Sequence, residues 1–169
     1  LIDIISGILK LEKGDIKVDE KSIFSNLRGW QDLIGYIPQK IFILDDSLRN
    51  NIIFGIDKNK VDEEILLKLL HKINLTQLLE RLPKGLDSKL GEKGLNISAG
   101  EIQRIGIARS LIYNPKILFL DEATSSLDTF TERQILKELN QFEDKTFISI
   151  ANRINTLKNC DKIYRLDKG

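Results

Sequence analysis

The sequence contains no methionine and a single cysteine among its 169 residues, and both scarcities restrict what the chain can be. One thiol, Cys160, excludes an internal disulfide and fits a reducing compartment. Because methionine is absent, Leu1 is not a translational start. We therefore expect the chain to be an excerpt of a longer protein, and a processed mature chain is the alternative.

Long apolar runs and an excess of one charge are also lacking. No run approaches the roughly 20 apolar residues that a membrane-spanning helix needs. The net charge of +1 gives no field that would attract nucleic acid, so none is expected as a partner. What the chain does have is 41% hydrophobic and 30% charged residues, which is typical of one globular domain with a sizeable core.

Apolar runs of strand length alternate with helical patterns along the chain. Strands are predicted over 15–18, 33–37, 117–120, 146–151 and 163–166, and helices over 1–9, 61–73, 98–113 and 128–140. This alternation predicts an α/β fold with a mostly parallel sheet flanked by helices. The mostly helical span 46–115 interrupts the pattern. We interpret it as an inserted helical subdomain, which leaves a core of 1–45 and 116–169.

The acidic pair Asp121-Glu122 follows directly on the apolar run 117–120. Such a run suits a strand buried on both faces, and open α/β sheets bind ligands at the carboxyl ends of their strands. Two carboxylates there are costly to bury without partners. A divalent cation and a nucleotide phosphate would give both a role, and a solvated acidic turn is the alternative.

The helix that begins at Ser98 has a start that suits two purposes. Ser98 and Glu101 have the spacing of a capping box, which is a purely structural device. The same helix start offers free N–H groups and a positive dipole end, and Gly100 would let a terminal phosphate approach the backbone. The local pattern does not choose between the two.

Residues 95–128 (LNISAGEIQRIGIARSLIYNPKILFLDEATSSLD) resemble the signature motif and Walker B segment of ATP-binding cassette (ABC) ATPases. Tyr36–Gln39 resembles the Q-loop of that family, Ser125–Asp128 the D-loop, and Ser88–Gly94 the X-loop of its exporters. The resemblance covers nearly the whole chain. It implies a P-loop NTPase-type (RecA-like) core and an exporter similar to bacterial lipid-linked oligosaccharide flippases.

The resemblance implies roles for the residues around the acidic pair. Asp121 would help hold Mg²⁺ through water, because magnesium keeps several waters in protein sites. Glu122 would be the general base that polarises the water attacking the γ-phosphate of ATP. Gln39 would contact the magnesium ion or that water, and would report nucleotide occupancy to a neighbouring domain.

A second set of roles belongs to a dimer. Ser98, Ala99, Gly100 and Glu101 would contact the γ-phosphate of an ATP held mainly by a second nucleotide-binding domain, packed head to tail. Asp128 would lie at the seam between the two. Transmembrane domains would contact the Q-loop and X-loop, at the cytoplasmic face of a bacterial inner membrane. A soluble ABC ATPase of DNA repair or translation is the alternative.

Two departures from the family pattern carry consequences. No G-x-x-x-x-G-K-[ST] motif (Walker A) occurs in the 169 residues, so we expect no useful ATP affinity from this polypeptide alone and ATPase activity only in the full-length protein. Asn152 stands where the family usually has histidine. Its amide can donate a hydrogen bond but cannot titrate.

From Asn152 we predict slowed hydrolysis or a hydrolysis-impaired regulatory half-site. The alternative is that asparagine supports ATP hydrolysis adequately at this position. The signature also departs at two positions. Ala99 replaces the usual glycine, and Glu101 the frequent glutamine. We interpret both as tolerated variants.

Overall fold

The computed structural model describes residues 1–57, 61–91, 97–153, 157 and 160–166. The helices of this part are α1 Ile2–Ile5, α2 Leu27–Gln31, α3 Leu48–Ile52, α4 Glu63–Lys72, α5 Thr76–Arg81, α6 Ala99–Leu111 and α7 Thr129–Leu139. The strands are β1 Lys17–Val18, β2 Lys21–Ser22, β3 Ile34–Ile37, β4 Asp46–Ser47, β5 Lys89–Leu90, β6 Ile117–Asp121 and β7 Thr146–Ile150. Short 3₁₀ turns cover Ile23–Asn26 and Gly85–Asp87.

The central sheet is parallel, in the order β3–β6–β7, as the alternating pattern predicts. Its middle strand, β6, buries Leu118 and Phe119 completely, because both of its edges are paired and both faces are covered. Gly35 lies opposite Leu118, and a Cβ atom at Gly35 would stand 2.8 Å from the Leu118 side chain. A glycine therefore allows the close packing at this point of the sheet.

Two short antiparallel pairs complete the strands. β1 and β2 form a hairpin whose turn residues, Asp19 and Glu20, both have positive φ (48° and 63°), which matches the right-handed twist of a tight hairpin. β4 pairs with β5, which joins the start of α3 to the chain just before α6. The span 46–115 thus contains a strand pair in addition to its helices.

The helices α3 to α7 pack into one apolar cluster that also receives the sheet. α4 buries Leu66 and Leu70 along one face, and Asp62 caps its first turn. α6 is buried almost all round, so it lies between the α3–α5 side and β3. Ile37, Leu118 and Leu120 of the sheet belong to the same cluster as the helical residues. The division of the chain into a core and a helical subdomain, with boundaries at 46 and 115, therefore stays a prediction.

The structure corrects two predicted elements. The first helix ends at Ile5 instead of residue 9, because Gly7 adopts φ +74° and turns the chain; Ile8 and Leu9 are exposed. The predicted strand 163–166 is wrong, since the described residues 160–166 contain no strand and are exposed. A strand needs a neighbour for its backbone hydrogen bonds, and these residues do not extend the sheet beyond β7.

In the part of the chain that the structure describes, no helix has the length and apolar character needed to cross a membrane.

A buried ion pair fastens α6 to α7. The Arg104 guanidinium donates from Nε and Nη2 to the two oxygens of Glu138, at 2.9 and 2.7 Å. The Asn74 amide, between α4 and α5, donates to the same carboxylate at 2.8 Å. The side chains of Arg104 and Glu138 are only 10% and 4% exposed. Little water reaches either charge, so each is stabilised mainly by the other.

We predict that Arg104→Ala lowers the free energy of unfolding by about 3–5 kcal/mol, because it leaves the Glu138 carboxylate buried without a cation. Urea denaturation measures the change. The matched control is Arg28→Ala, which removes an exposed i,i+4 pair with Asp32 and should change the free energy by less than about 1 kcal/mol. Equal losses in the two variants would contradict a structural role for the buried pair.

Candidate functional site

The three parallel strands end at one edge of the sheet, and each is followed by a predicted site residue. Gln39 comes after β3, Glu122 after β6 and Asn152 after β7. Because parallel strands place their carboxyl ends on the same side, the fold brings these three polar side chains together.

The Glu122 carboxylate lies between two amides. Gln39 Nε2 donates to one oxygen at 2.9 Å, and Asn152 Nδ2 donates to the other at 2.6 Å. Gln39 Nε2 also reaches the Ser125 hydroxyl at 3.2 Å. The sequence-predicted catalytic residues, Glu122 and Asn152, are therefore in direct contact, and Gln39 contacts the same carboxylate.

The backbone of Glu122 is held in an unusual conformation. Its φ is +46°, in the left-handed region that a non-glycine residue adopts only at some cost. Its N–H donates to the Ile150 carbonyl at 3.1 Å, so the β6–β7 pairing holds the residue there. Strain that the surrounding structure enforces is typical of functional sites, and here it aims the carboxylate at the edge of the sheet.

Asp121 is joined to a residue that sequence reasoning did not single out. The Tyr36 hydroxyl donates to Asp121 Oδ2 at 2.8 Å. Burial, the hydrogen bond to Asp121 and its negative charge raise the pKa of the Tyr36 phenol from 10.0 to about 12. The contact could have been found from the β3–β6 register. Tyr36 pairs with Phe119, and Asp121 lies two residues after Phe119 on the same face of the sheet.

A cleft of about 180 Å³ opens beside Glu122 and Asn152, with Ser125, Glu132 and Arg153 also in its lining. Arg153, a second residue that sequence reasoning missed, bridges the two sides of this cleft. Its guanidinium donates to the carbonyls of Ser125 and Leu127 at 3.0 and 2.9 Å, and to the buried Glu132 at 3.0 Å. It therefore fastens the segment after β7 to the segment after β6.

Ser98 and Glu101 form a full capping box at the start of α6. The Ser98 hydroxyl accepts from the Glu101 N–H at 3.2 Å, and Glu101 accepts from the Ser98 N–H and hydroxyl, both at 2.8 Å. Arg81 adds an ion pair to the same carboxylate. Partial burial opposes ionisation of Glu101, but the Ser98 hydrogen bonds and Arg81 outweigh it and lower the carboxyl pKa.

Ala99 is exposed beside this box, and Gly100 is buried. A Cβ atom at Gly100 would lie 2.8 Å from the Thr131 methyl group and 3.2 Å from Arg104, so the glycine has a packing reason within the chain. Contact between Gly100 and a phosphate stays a prediction.

Asp128 caps α7 and is exposed. Its carboxylate accepts from the N–H groups of Phe130 and Thr131, both at 3.0 Å, and from the Thr131 hydroxyl at 2.6 Å. The Thr131 hydrogen bonds lower the pKa of Asp128. Thr131 thus links two predicted site residues, because it bonds to Asp128 and packs on Gly100.

The donor set at the sheet edge fits magnesium bound to a nucleotide. The described residues contain no cluster of three or more histidine, cysteine, aspartate or glutamate side chains that would enclose a metal by themselves. Magnesium in nucleotide sites is held by one or two protein ligands, with phosphate oxygens and water supplying the rest. The Asp121 carboxylate and the Gln39 amide oxygen are ligands of that kind.

A parallel sheet of this order, with helices on its faces and an acidic pair at its carboxyl edge, belongs to the P-loop NTPase fold class. Residues 1–125 match the family model described as ABC transporter. The chain belongs to the ABC transporter family, as its motifs predicted. Proteins of this family bind ATP, typically with Mg²⁺.

The relatives that the chain resembles are ABC transporters, some of them named as flippases or exporters. It is 37% identical to an ATP-dependent lipid A-core flippase of Shewanella denitrificans, over 94% of this chain and 27% of the flippase. It is 39% identical to a mitochondrial iron–sulfur clusters transporter of Yarrowia lipolytica, ATM1, over 97% of this chain and 24% of that one. A solved bacterial Atm1-family ABC exporter with ATP bound shares the fold at TM-score 0.80 and 33% identity, over 92% of this chain and 28% of the exporter.

The chain spans between 12% and 29% of the length of the curated relatives it matches. The X-loop assignment is only partly visible, because residues 92–94 lie outside the described residues. Ser88–Gly91 are described, and Lys89 and Leu90 form β5.

The contact between Tyr36 and Asp121 predicts a dependence of stability on alkaline pH. With a folded-state pKa of about 12 and an ordinary value of 10.0, the phenol keeps its proton in the folded state while the unfolded chain loses it. The stabilisation is fully present below pH 10 and is lost as the pH rises toward 12.

Denaturation at several pH values checks this prediction, with Tyr36→Phe as the comparison. The free energy of unfolding should fall more steeply with pH in the unsubstituted chain than in the variant. Parallel pH curves for the two proteins would show that the Tyr36 phenol titrates normally.

Proposed function

We propose that this chain is the ATP-hydrolysing module of an ABC exporter. The observation that supports the proposal most strongly is the position of Glu122, held by Gln39 and Asn152 at the carboxyl edge of the parallel sheet. The relatives support it from a second side, because they are named as exporters, flippases and multidrug transporters.

Glu122 serves as the general base, which accepts a proton from the water that attacks the γ-phosphate. One oxygen of the Glu122 carboxylate is enough to accept a hydrogen bond from that water. Gln39 and Asn152 orient the carboxylate, because each donates a hydrogen bond to one of its oxygens. Asp121 and Gln39 hold Mg²⁺, which neutralises charge on the phosphates when it is bound. The Tyr36 hydroxyl keeps Asp121 directed toward this position.

The signature segment acts on a nucleotide carried by a second copy. Ser98, Ala99, Gly100 and Glu101 lie at the start of α6, where N–H groups and the positive end of the helix dipole favour a phosphate. Ser98, Ala99 and Asp128 are exposed, which leaves this side of the chain accessible to a facing domain. A head-to-tail dimer places each signature segment against the ATP of its partner, with Asp128 at the seam.

The remaining partners are transmembrane domains, which contact the Q-loop and X-loop segments at the cytoplasmic face of a bacterial inner membrane. One relative, from Lactococcus lactis, is named an ATP-binding and permease protein, so both functions occur together there.

The cargo is of the lipid-linked oligosaccharide class. Because the 169 residues contain no Walker A motif, this polypeptide alone has no useful ATP affinity, and its ATPase activity requires the complete protein.

A hydrolysis-impaired, regulatory half-site is the second candidate function. The observation that favours it is the 2.6 Å contact of a neutral amide, Asn152, with the general base. An asparagine cannot change its charge during turnover, so it gives the γ-phosphate less electrostatic stabilisation than an imidazolium.

The test of the main proposal is Glu122→Gln in the complete protein that contains this chain. ATP hydrolysis should fall by about 100-fold or more, because general-base catalysis is removed. ATP-induced dimerisation should persist, since the amide keeps the size of the side chain and one oxygen that can still accept a hydrogen bond. The control is Glu143→Gln, which changes an exposed glutamate outside the site. Hydrolysis that survives Glu122→Gln undiminished would rule out the assigned base.

The test of the second candidate is Asn152→His in the same protein. We expect turnover to rise and to acquire a pH dependence near the imidazole pKa of about 6.5, which the asparagine protein lacks. Initial rates of phosphate release between pH 5.5 and 8 measure both effects. Asn140→His, an exposed position at the end of α7, is the control. An unchanged rate and pH profile would show that Asn152 does not limit turnover.

A further inference from the structure

The signature segment carries an acid where it is expected to meet a phosphate. Glu101 lies in the first turn of α6, three residues after Ser98. A carboxylate at this position repels a γ-phosphate. It also accepts a hydrogen bond from the Ser98 hydroxyl, at 2.8 Å. The chain must therefore compensate the charge if this helix start is to act on ATP.

The compensating cation comes from the last residue of α5. Arg81 Nη2 donates to Glu101 Oε1 at 2.9 Å and to Oε2 at 3.2 Å. The Glu101 side chain is only 17% exposed, whereas Arg81 is 56% exposed, so the acid is the more buried partner. The carboxylate is thus enclosed by Arg81 on one side and by the Ser98 N–H and hydroxyl on the other.

We propose that Arg81 is a positioning residue of the signature segment. It neutralises Glu101 and holds the carboxylate in the capping box of the helix start, so that the acid does not repel a phosphate bound there. With Arg81 in place, Glu101 serves as a cap for the helix and adds no net negative charge to the site. This inference rests on the proposed function, and it assigns to α5 a part in nucleotide binding.

The experiment uses the complete protein and compares four variants: Arg81→Ala, Arg81→Lys, Glu101→Gln and the double variant Arg81→Ala/Glu101→Gln. The Michaelis constant for ATP, the turnover number and the thermal unfolding temperature are measured for each. Arg28→Ala is the control, because it removes an exposed arginine of another ion pair.

Charge compensation predicts a specific pattern. Arg81→Ala should raise the Michaelis constant by about three- to fivefold, the range of a partly exposed ion pair. Arg81→Lys should recover most of this loss. In the double variant, the Michaelis constant should equal that of Glu101→Gln alone, because a neutral glutamine needs no cation.

Two results would overturn the inference. If Arg81→Ala binds ATP as the unsubstituted protein does, the cation is not needed. If the double variant is as impaired as Arg81→Ala, Arg81 is only a structural tie between α5 and α6. Absence of ATP hydrolysis in the unsubstituted protein would overturn the proposed function and this inference with it, whereas hydrolysis with an unrescued defect overturns the inference alone.

Discussion

The pairing of β6 with a parallel strand on each side is the constraint on which the rest of the molecule depends. Its backbone hydrogen bonds to β3 and β7 fix three strand ends at one edge, and the Glu122 N–H continues the ladder to Ile150. A slip of one residue in either register would turn the site side chains to the other face of the sheet. The close packing of Gly35 against Leu118 opposes such a slip between β3 and β6, because a residue with a Cβ atom would then lie opposite Leu118.

The helical side of the molecule is held to this edge by polar contacts as well as by packing. Arg104 and Glu138 join α6 to α7, and Thr131 joins Gly100 to Asp128. Arg153 then fastens the chain after β7 to the segment between β6 and α7. The start of α6 and the sheet edge are therefore connected through residues 125–131.

Neutral groups surround the general base that we propose. Glu122 accepts hydrogen bonds from two amides, and neither Gln39 nor Asn152 changes charge with pH. The arginine in the lining of the same cleft, Arg153, pairs with Glu132 and makes no ion pair with Glu122 among the described contacts. In the function that we propose, the positive charge needed by a triphosphate would therefore have to come from Mg²⁺ and from residues that do not contact Glu122.

Much of the local structure could be predicted because its causes lie within a few residues. The apolar run before Asp121 and the Ser98 capping box both depend on short-range contacts, and the structure has each of them. The failures also have local explanations. Residues 163–166 have a strand pattern without a strand beside them, and Gly7 ends the first helix although Ile8 and Leu9 continue its apolar stripe.

The sequence by itself thus determined the three strands of the central sheet, the helices α4, α6 and α7, and that an acidic pair ends a buried strand. Only the tertiary structure decided which side chains meet. Tyr36 reaches Asp121 across 85 residues of chain, and Gln39 reaches Glu122 across 83. Such contacts follow from strand order and register, which are set by how all the apolar faces pack at once and not by any one stretch of residues.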